Sequence, residues 1–328
     1  MGAADRTVVI TGGSRGLGFE CARAIAAGGV PWRIVLACRD VAAGTRAAGE
    51  IARATGHREV EAMEVELASL ASVRAFARNL LARTDLPPLQ ALVCNAGLQT
   101  VSSPRSTVDG YEITFAVNHL AHFLLANLLV GSMREPARVV FVASGTHDPK
   151  RKAGLPVPEY SGAAALAHAP LASGNGESAR TAGLRRYTTS KLCNVFCAYE
   201  MDRRLRERTP DAVVTVNAFD PGAVPRTGLA REHGALGRAA WDGVAGALVP
   251  VLRRAGLPFS TPRDSGEAMA RTVTDPTLES VSGRYIELGR EARSSEASYD
   301  RSAAAELWAT SADLAGLRPD ETPLRLTR

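Results

Sequence analysis

The chain has 328 residues, 45% hydrophobic and 22% charged, the composition of a globular protein long enough to bury one large core. Its net charge of +5 is scattered arginine: of 39 basic residues, only Lys150, Lys152 and Lys191 are lysine. There is no lysine-rich block and no basic stripe with interleaved aromatics, so no nucleic-acid partner is expected, and no uninterrupted apolar run approaches the ~18 residues of a membrane span.

Arg6 to Ile10 is a short apolar run with the pattern of a buried strand. Its apolar centre, Val8-Val9-Ile10, is too short for a signal peptide and runs straight into Thr11-Gly12-Gly13-Ser14-Arg15-Gly16-Leu17-Gly18. Phe19 to Ala27 follows with helical character. Strand, glycine loop and helix are the setting of a dinucleotide phosphate site: glycines let the backbone turn tightly against a pyrophosphate, and the helix N-terminus supplies N–H donors. The spacing is Gly-x-x-x-Gly-x-Gly, not the commoner Gly-x-Gly-x-x-Gly. Gly12, Ser14, Arg15, Gly16, Leu17 and Gly18 are the candidate cofactor residues of this turn.

Trp32 to Ala37 is the second strand, ending at Cys38-Arg39-Asp40. Dinucleotide folds that prefer NAD place an acid near this strand end, and those that prefer NADP place an arginine there for the 2′-phosphate. Arg39, with Arg15 in the loop, favours NADP(H). Asp40 is either a ribose acid or, in the reading preferred here, the cap of the next helix. Val60 to Leu67 reads as a third strand, Ser69 to Leu81 as an amphipathic helix, and Gln90 to Cys94 as a fourth strand running into Asn95-Ala96-Gly97. Asp109 to about Val130 reads as a helix carrying Asn118 and His119, and Ala137 to Ala143 as a fifth strand ending at Ser144. Apolar strands alternating with helices predict an α/β fold: a single Rossmann-type, doubly wound parallel sheet with helices on both faces. Ligands then sit at the carboxyl ends of the strands, where Gly12, Arg39, Asn95 and Ser144 fall.

Tyr187 and Lys191 are four apart in a predicted helix from Arg185 to about Glu207, whose apolar stripe is Leu192, Val195, Phe196 and Tyr199. An ammonium beside a phenol favours the phenolate and lowers the tyrosine pKa. A phenol so tuned can pass a proton to or from a reacting oxygen. In a chain that uses arginine almost everywhere, a lysine at 191 suggests a need for a compact ammonium. Cys193 and Cys197 lie one turn apart, but no His or further Cys completes a metal site. With Cys21, Cys38 and Cys94 they read as reduced, buried thiols of a cytoplasmic protein.

Taken in order, Thr11-Gly12-x-x-x-Gly16-x-Gly18, Asn95-Ala96-Gly97, Asn118, Ser144, Tyr187-x-x-x-Lys191 and Pro221-Gly222 resemble the short-chain dehydrogenase/reductase family from about Thr7 to Gly289. Val117-Asn118-His119-Leu120-Ala121-His122-Phe123, Asp109-Gly110-Tyr111-Glu112, Thr227-Gly228-Leu229 and Gly283-Arg284-Tyr285 look like its retinol-dehydrogenase and protochlorophyllide-reductase branch. The resemblance implies roles. Tyr187 would be the general acid, Lys191 would lower its pKa and hold the nicotinamide ribose, and Ser144 would bond the substrate oxygen. Asn118 would anchor a proton-relaying water. Gly12, Gly16 and Gly18 would cradle the pyrophosphate, and Asn95, Ala96 and Gly97 would line the adenosine side. Pro221, Gly222, Val224 and Thr227 would lie near the carboxamide or phosphates. Two departures stand out. Glu66-Leu67 replaces the family's Asp-Leu near adenine, and Ala223 stands where light-driven protochlorophyllide reductases carry cysteine, which argues against a light-driven role. The N-terminal membrane anchor of retinol dehydrogenases is not expected either.

The Ser144-to-Tyr187 stretch exceeds the family's usual length, with the excess at residues 147–181. It reads as a cap over the substrate pocket, offering His147 and Tyr160 as substrate candidates beside a basic Lys150-Arg151-Lys152. Residues 227–256 read as a lid, with Trp241, Val244, Leu248, Val249 and Leu252 as a helical stripe. Trp241 is the third substrate candidate. Both elements are apolar, which suggests a bulky, mostly apolar small-molecule substrate. Glu267 to Val273 and Arg301 to Leu314 read as helices, Arg284 to Leu288 as a last strand, and 318–328 as a frayed tail on a single domain spanning 1–328. The expected activity is NADPH-dependent reduction of a ketone or aldehyde, or the reverse alcohol oxidation, by a monomer or homodimer. The alternatives are reduction of a carbon–carbon double bond and, less favoured, an idle NADP-binding sensor. The alanine- and arginine-heavy composition points by association to secondary metabolism.

Overall fold

A computed structural model describes residues 4–101, 105–169, 176–208, 213–225, 227, 243, 246–254 and 257–327. The strands are β1 (Arg6–Thr11), β2 (Trp32–Cys38), β3 (Val60–Glu64), β4 (Leu89–Cys94), β5 (Ala137–Val142), β6 (Val214–Asp220), β7 (Tyr285–Glu287) and β8 (Arg290–Ala292). They form one sheet in the order β3-β2-β1-β4-β5-β6-β7-β8. All pairs are parallel except β7 with β8. The order reverses between β1 and β4, which opens a crevice at the carboxyl ends of the strands.

The central strands are Val-, Leu- and Ile-rich and buried on both faces, as a parallel sheet covered by helices requires. One face packs against α1 (Gly16–Ala27), α2 (Val41–Thr55) and α8 (Pro262–Thr274). The other carries α3 (Leu70–Leu81), α4 (Ile113–Val130), α6 (Ala179–Arg208) and α9 (Arg301–Leu314). α4 is apolar enough over 18 residues to pass for a membrane span, but 89% of it is buried inside the protein, so it is a core helix. Its middle, Ala116–Leu120, is a π turn. It begins at Ile113, not Asp109, because Glu112 caps it through Phe115 N while Asp109 instead accepts from Leu70 N at the start of α3.

Other expectations shift. β3 stops at Glu64, and α6 starts at Ala179, so the insert ends earlier than residue 181. Within it lie two 3₁₀ turns and α5 (Ala163–Ala167). It runs along α6, with Thr188 Oγ donating to Pro156 O and Glu159 N to Thr189 Oγ. Of the lid, Trp241 and Val244 lie outside the described residues, and α7 (Gly246–Arg254) buries Val249 but exposes Leu248 and Val251.

The tail is docked, contrary to expectation. Leu324 is buried, Thr322 Oγ donates to Asn127, and Glu321 pairs with Arg74. Arg325 O accepts from Trp308 Nε1 and from Arg204, whose guanidinium also lies over the Trp308 ring. Buried donors need partners, and the tail supplies them.

Candidate active site

The strand ends open into one cavity of about 860 Å³. Its first wall is the β1–α1 loop. Gly12 takes the left-handed backbone (φ +67°), and a Cβ there would stand 3.1 Å from Ala96. Ser14, Arg15 and Leu17 line the cavity beside it. Among the described residues no side chain caps α1, and no acid sits in its first turn, an arrangement that leaves its N–H groups to suit an anion. Gly16 and Gly18 do not line the cavity as expected. Gly16 (φ +57°) faces Thr227 O, and a Cβ on Gly18 would lie 2.6 Å from Asn95 Nδ2 and 2.7 Å from Gly12 O. They let the chain pack closely enough to form the cradle. Asn95 joins two strand ends: its Nδ2 donates to Thr11 O, and its N, like Ala96 N, donates to Thr11 Oγ.

At the end of β2, Arg39 borders the cavity with its side chain 76% exposed and 3.7 Å from the Glu66 carboxylate. Asp40 resolves as a cap: its Oδ1 accepts from Ala43 N at the start of α2. Glu66, whose carboxylate also accepts from Ala68 N, and Leu67 line the same end, while Ala96, Gly97, Pro221, Gly222, Val224 and Thr227 line the rest. Two guanidiniums, an uncapped helix start and a glycine cradle fit a phosphorylated dinucleotide.

Tyr187 and Lys191 share the inner wall with Ser144, all three buried. Lys191 Nζ donates to Val142 O at 3.0 Å and stands 5.7 Å from the centre of the Tyr187 ring. Ser144 Oγ accepts from Thr146 N and Thr146 Oγ, and the Ser144 hydroxyl favours the Tyr187 phenolate. The expectation that Lys191 lowers the tyrosine pKa is not met in this ligand-free chain. Burial pushes the phenol up, Ser144 opposes this, and the buried Asp220 carboxylate pushes it further. Burial also pulls Lys191 down to about 8, against the field of Asp220. Both groups have left water, and desolvation is the largest cause of the shift in each.

Asn118 lies behind this pair, off the cavity wall. Its Oδ1 accepts from Leu98 N, and its Nδ2 donates to Leu98 O and Ser190 Oγ, so both amide protons are used and one Oδ1 lone pair remains. Its main-chain oxygen faces His122 Nδ1 at 3.1 Å, and His122 Nε2 lies 2.9 Å from Thr11 Oγ. Burial holds His122 down to about 4, and a neutral ring with its proton on Nδ1 satisfies both contacts.

Two substrate candidates fall elsewhere. His147 is fully buried between Ser144 O and Ser295 N and packs on Tyr285. Tyr160 donates to Glu306 and lies edge-on to Phe196. Both hold the insert in place and neither lines the cavity. Lys150 pairs with Glu296 in solvent, and Lys152 is exposed. The substrate side instead uses Ala153 and Leu155 of the insert, Ile113, Val117 and Gln99, with Arg180 on the first turn of α6. Arg180 is seven residues before Tyr187, two helical turns on the same face, a spacing that could have flagged it.

The profile of a family described as short chain dehydrogenase matches residues 6–163. Protochlorophyllide reductase A, chloroplastic, of Oryza sativa subsp. japonica is 36% identical over 330 residues, covering 94% of this chain and 80% of that protein. The chain belongs to the short-chain dehydrogenase/reductase family. Within it the likeness is to the protochlorophyllide-reductase branch, as the Chlamydomonas reinhardtii protochlorophyllide reductase is 33% identical with 95% of this chain and 78% of that one covered. Among solved structures, an uncharacterized protein of Mycobacterium paratuberculosis matches this short-chain dehydrogenase with TM-score 0.65 and 26% identity, over 95% of this chain and 94% of the other. A blue fluorescent protein from a metagenomic library, in complex with NADPH, matches with TM-score 0.59 and 22% identity over 86% and 95%, a likeness of fold.

Proposed function

We propose that this short-chain dehydrogenase is an NADPH-dependent reductase of a carbon–carbon double bond in a bulky, mostly apolar, conjugated substrate. The observation that carries the reductase reading is the convergence of Tyr187, Ser144 and Lys191 on the cavity that Gly12 and Arg39 also line. The double-bond preference draws on the relatives named protochlorophyllide reductase. It moves ahead of the carbonyl reading favoured by the sequence. Ala223 in place of cysteine supports a reaction that needs no light.

When bound, the nicotinamide supplies hydride. Gly12, Ser14, Leu17 and the α1 N-terminus hold the phosphates, and Arg15 and Arg39 take the 2′-phosphate. Glu66, Leu67 and Asn95 flank the adenosine, while Pro221, Gly222, Val224 and Thr227 face the nicotinamide end. Lys191 holds the ribose and keeps a positive charge near Tyr187. Tyr187 gives its proton to carbon or to an enolate oxygen, and Ser144 bonds that oxygen. Ile113, Val117, Ala153 and Leu155 offer an apolar wall, and a substrate acid group would meet Arg180 at its rim.

One observation favours carbonyl reduction, or alcohol oxidation, as the second reading: the Ser144 and Tyr187 hydroxyls line one cavity, two donors suited to an oxygen rather than to carbon. The reading extends to a cytoplasmic monomer or homodimer, supported by five free buried cysteines. NADPH oxidation in the dark against bulky ketones and matched enones, read by product mass, tests both. Enone turnover with Tyr187→Phe slowed about 10²–10⁴-fold supports the proposal. Turnover of ketones alone overturns it in favour of the second reading, and a Tyr187→Phe protein as active as the parent overturns both.

A further inference from the structure

His147 ends the 3₁₀ turn Gly145–His147 that follows Ser144, and it is fully buried without lining the cavity. Its imidazole joins two distant segments. Nδ1 lies 2.6 Å from Ser144 O, and Nε2 accepts from Ser295 N at 3.0 Å, 148 residues along the chain. Tyr285 of β7 packs against the ring, with centroids 5.1 Å apart. The two partners fix the tautomer, because a backbone N–H only donates and a carbonyl only accepts. Nε2 must be bare, and Nδ1 must carry the proton. Burial lowers the ring's pKa, which keeps it neutral at pH 7.

The bond from Nδ1 falls on the residue that lines the cavity beside Tyr187. Ser144 O accepts twice from residue 147, from its main-chain N at 3.1 Å and from Nδ1. Ser144 Oγ accepts from Thr146 N at 3.4 Å and from Thr146 Oγ at 3.1 Å. Both lone pairs of that hydroxyl are thereby occupied, and its hydrogen is left to donate. The carbonyl and the hydroxyl of Ser144 are thus tied to one three-residue turn, and the imidazole seats that turn. The turn has little room to shift on its other side. A Cβ on Gly145 would stand 3.0 Å from Asp220 Oδ2 and 3.1 Å from Arg151 Cδ. A fixed turn sets the direction of a donor that has to meet a substrate oxygen, and a misplaced donor costs rate.

We propose that His147 is a positioning residue for the reaction: its Nδ1–H, anchored from behind by Ser295 N, holds the Ser144 carbonyl and so aims the Ser144 hydroxyl at the substrate oxygen. The catalytic meaning rests on the reductase reading; the clamp itself does not. The insert then acts on the chemistry from its first residue, without that residue touching the substrate.

Two amides separate the halves of the clamp. Asparagine carries an N–H at the position of Nδ1 and can donate to Ser144 O, but it stops short of Ser295. Glutamine carries an oxygen at the position of Nε2 and can accept from Ser295 N, but it offers nothing at Nδ1. NADPH oxidation is measured with the panel enone or ketone that the parent reduces fastest. His147→Gln should lower kcat about tenfold with KM for NADPH unchanged, and His147→Asn should recover most of that loss. In a Ser144→Ala background, His147→Gln should change kcat by less than about twofold, because the group it aims is gone. An equal cost in both backgrounds is what a purely structural role gives, and it overturns the proposal. So does a His147→Gln protein as fast as the parent, or a His147→Asn protein slower than His147→Gln. Should His147→Gln fail to fold, the parent carries a second test. Histidine labelled with ¹⁵N, with the His147 signals identified by their loss in His147→Asn, should show a neutral ring protonated at Nδ1 at neutral pH. A ring protonated at Nε2, or at both nitrogens, overturns the proposal. The Nδ1–H ring in a protein that reduces no panel substrate supports the clamp and faults the reductase reading alone.

Discussion

Lys191→Met should give a protein that is inactive yet more stable. Lys191 is held near 8 by burial, while a lysine in an unfolded chain titrates near about 10.4. That gap of about 2.4 units, at about 1.4 kcal/mol each, is a cost of ~3 kcal/mol for folding around the ammonium. Methionine fills similar space without charge. Its loss of the bond to Val142 O costs about 1 kcal/mol, because Asn194 Nδ2 still donates to that carbonyl at 3.0 Å. The net gain at neutral pH is ~2 kcal/mol. Its sign with pH follows from a folded pKa below the unfolded one: the folded protein prefers the neutral amine. The cost is fully present below pH 8, fades as pH rises toward about 10.4, and is absent above it. Urea unfolding of both proteins without nucleotide, at about pH 7 and about pH 10, reads this directly. A variant less stable than the parent at pH 7, or an advantage that does not shrink with pH, would refute the reasoning.

Arg39→Gln should weaken NADPH by on the order of tenfold and leave NADH unchanged, since only a 2′-phosphate uses that charge; equilibrium binding of the two nucleotides checks it. Gly18→Ala puts a methyl 2.7 Å from a backbone oxygen that has little room to yield. It should cost about 1–3 kcal/mol in denaturant unfolding and abolish tight nucleotide binding. Truncation of residues 319–328 exposes the surface under Leu324 and orphans donors of Arg204 and Trp308. That should lower stability by about 4–6 kcal/mol, seen as a large fall in Tm.

Periodic, local features were legible in the sequence. The last helix was placed at both ends, and Gly12, Arg39, Asn95 and Ser144, expected at the strand ends, line one cavity with Tyr187 and Lys191. What escaped was decided by contacts far along the chain. β6 alternates buried polar and apolar residues, and its Asn217 is satisfied only by Val281 O and Arg284 N. Asp109 read as the first residue of its own helix, yet bonds the start of a helix 39 residues upstream. His147 and Tyr160 had the chemistry of substrate contacts, but Ser295 and Glu306 claim them. The tail reads as polar and proline-bearing, and only the folded surface of Asn127, Arg204 and Trp308 gives it a seat. Asp220 has one local partner, Gly222 N, but its others, the Tyr285 hydroxyl and Arg151, lie on β7 and on the insert.

The π turn at Ala116–Leu120 sets a rotational phase. An α-helix turns roughly 100° per residue, so the one extra residue of a π turn offsets everything after it by that angle. Upstream of the offset, Glu112 and Phe115 anchor the helix start; within it His119 meets Ser311, and downstream His122 meets Thr11. Deleting a single residue there would regularise the helix and swing His122 off its partner, and would also disturb the bonds of Asn118 to Leu98 and Ser190. The helix thus has no slack in its residue count: changes of side chain are tolerable along it, whereas a change of length by one would decouple the β1 loop from the wall that carries Tyr187.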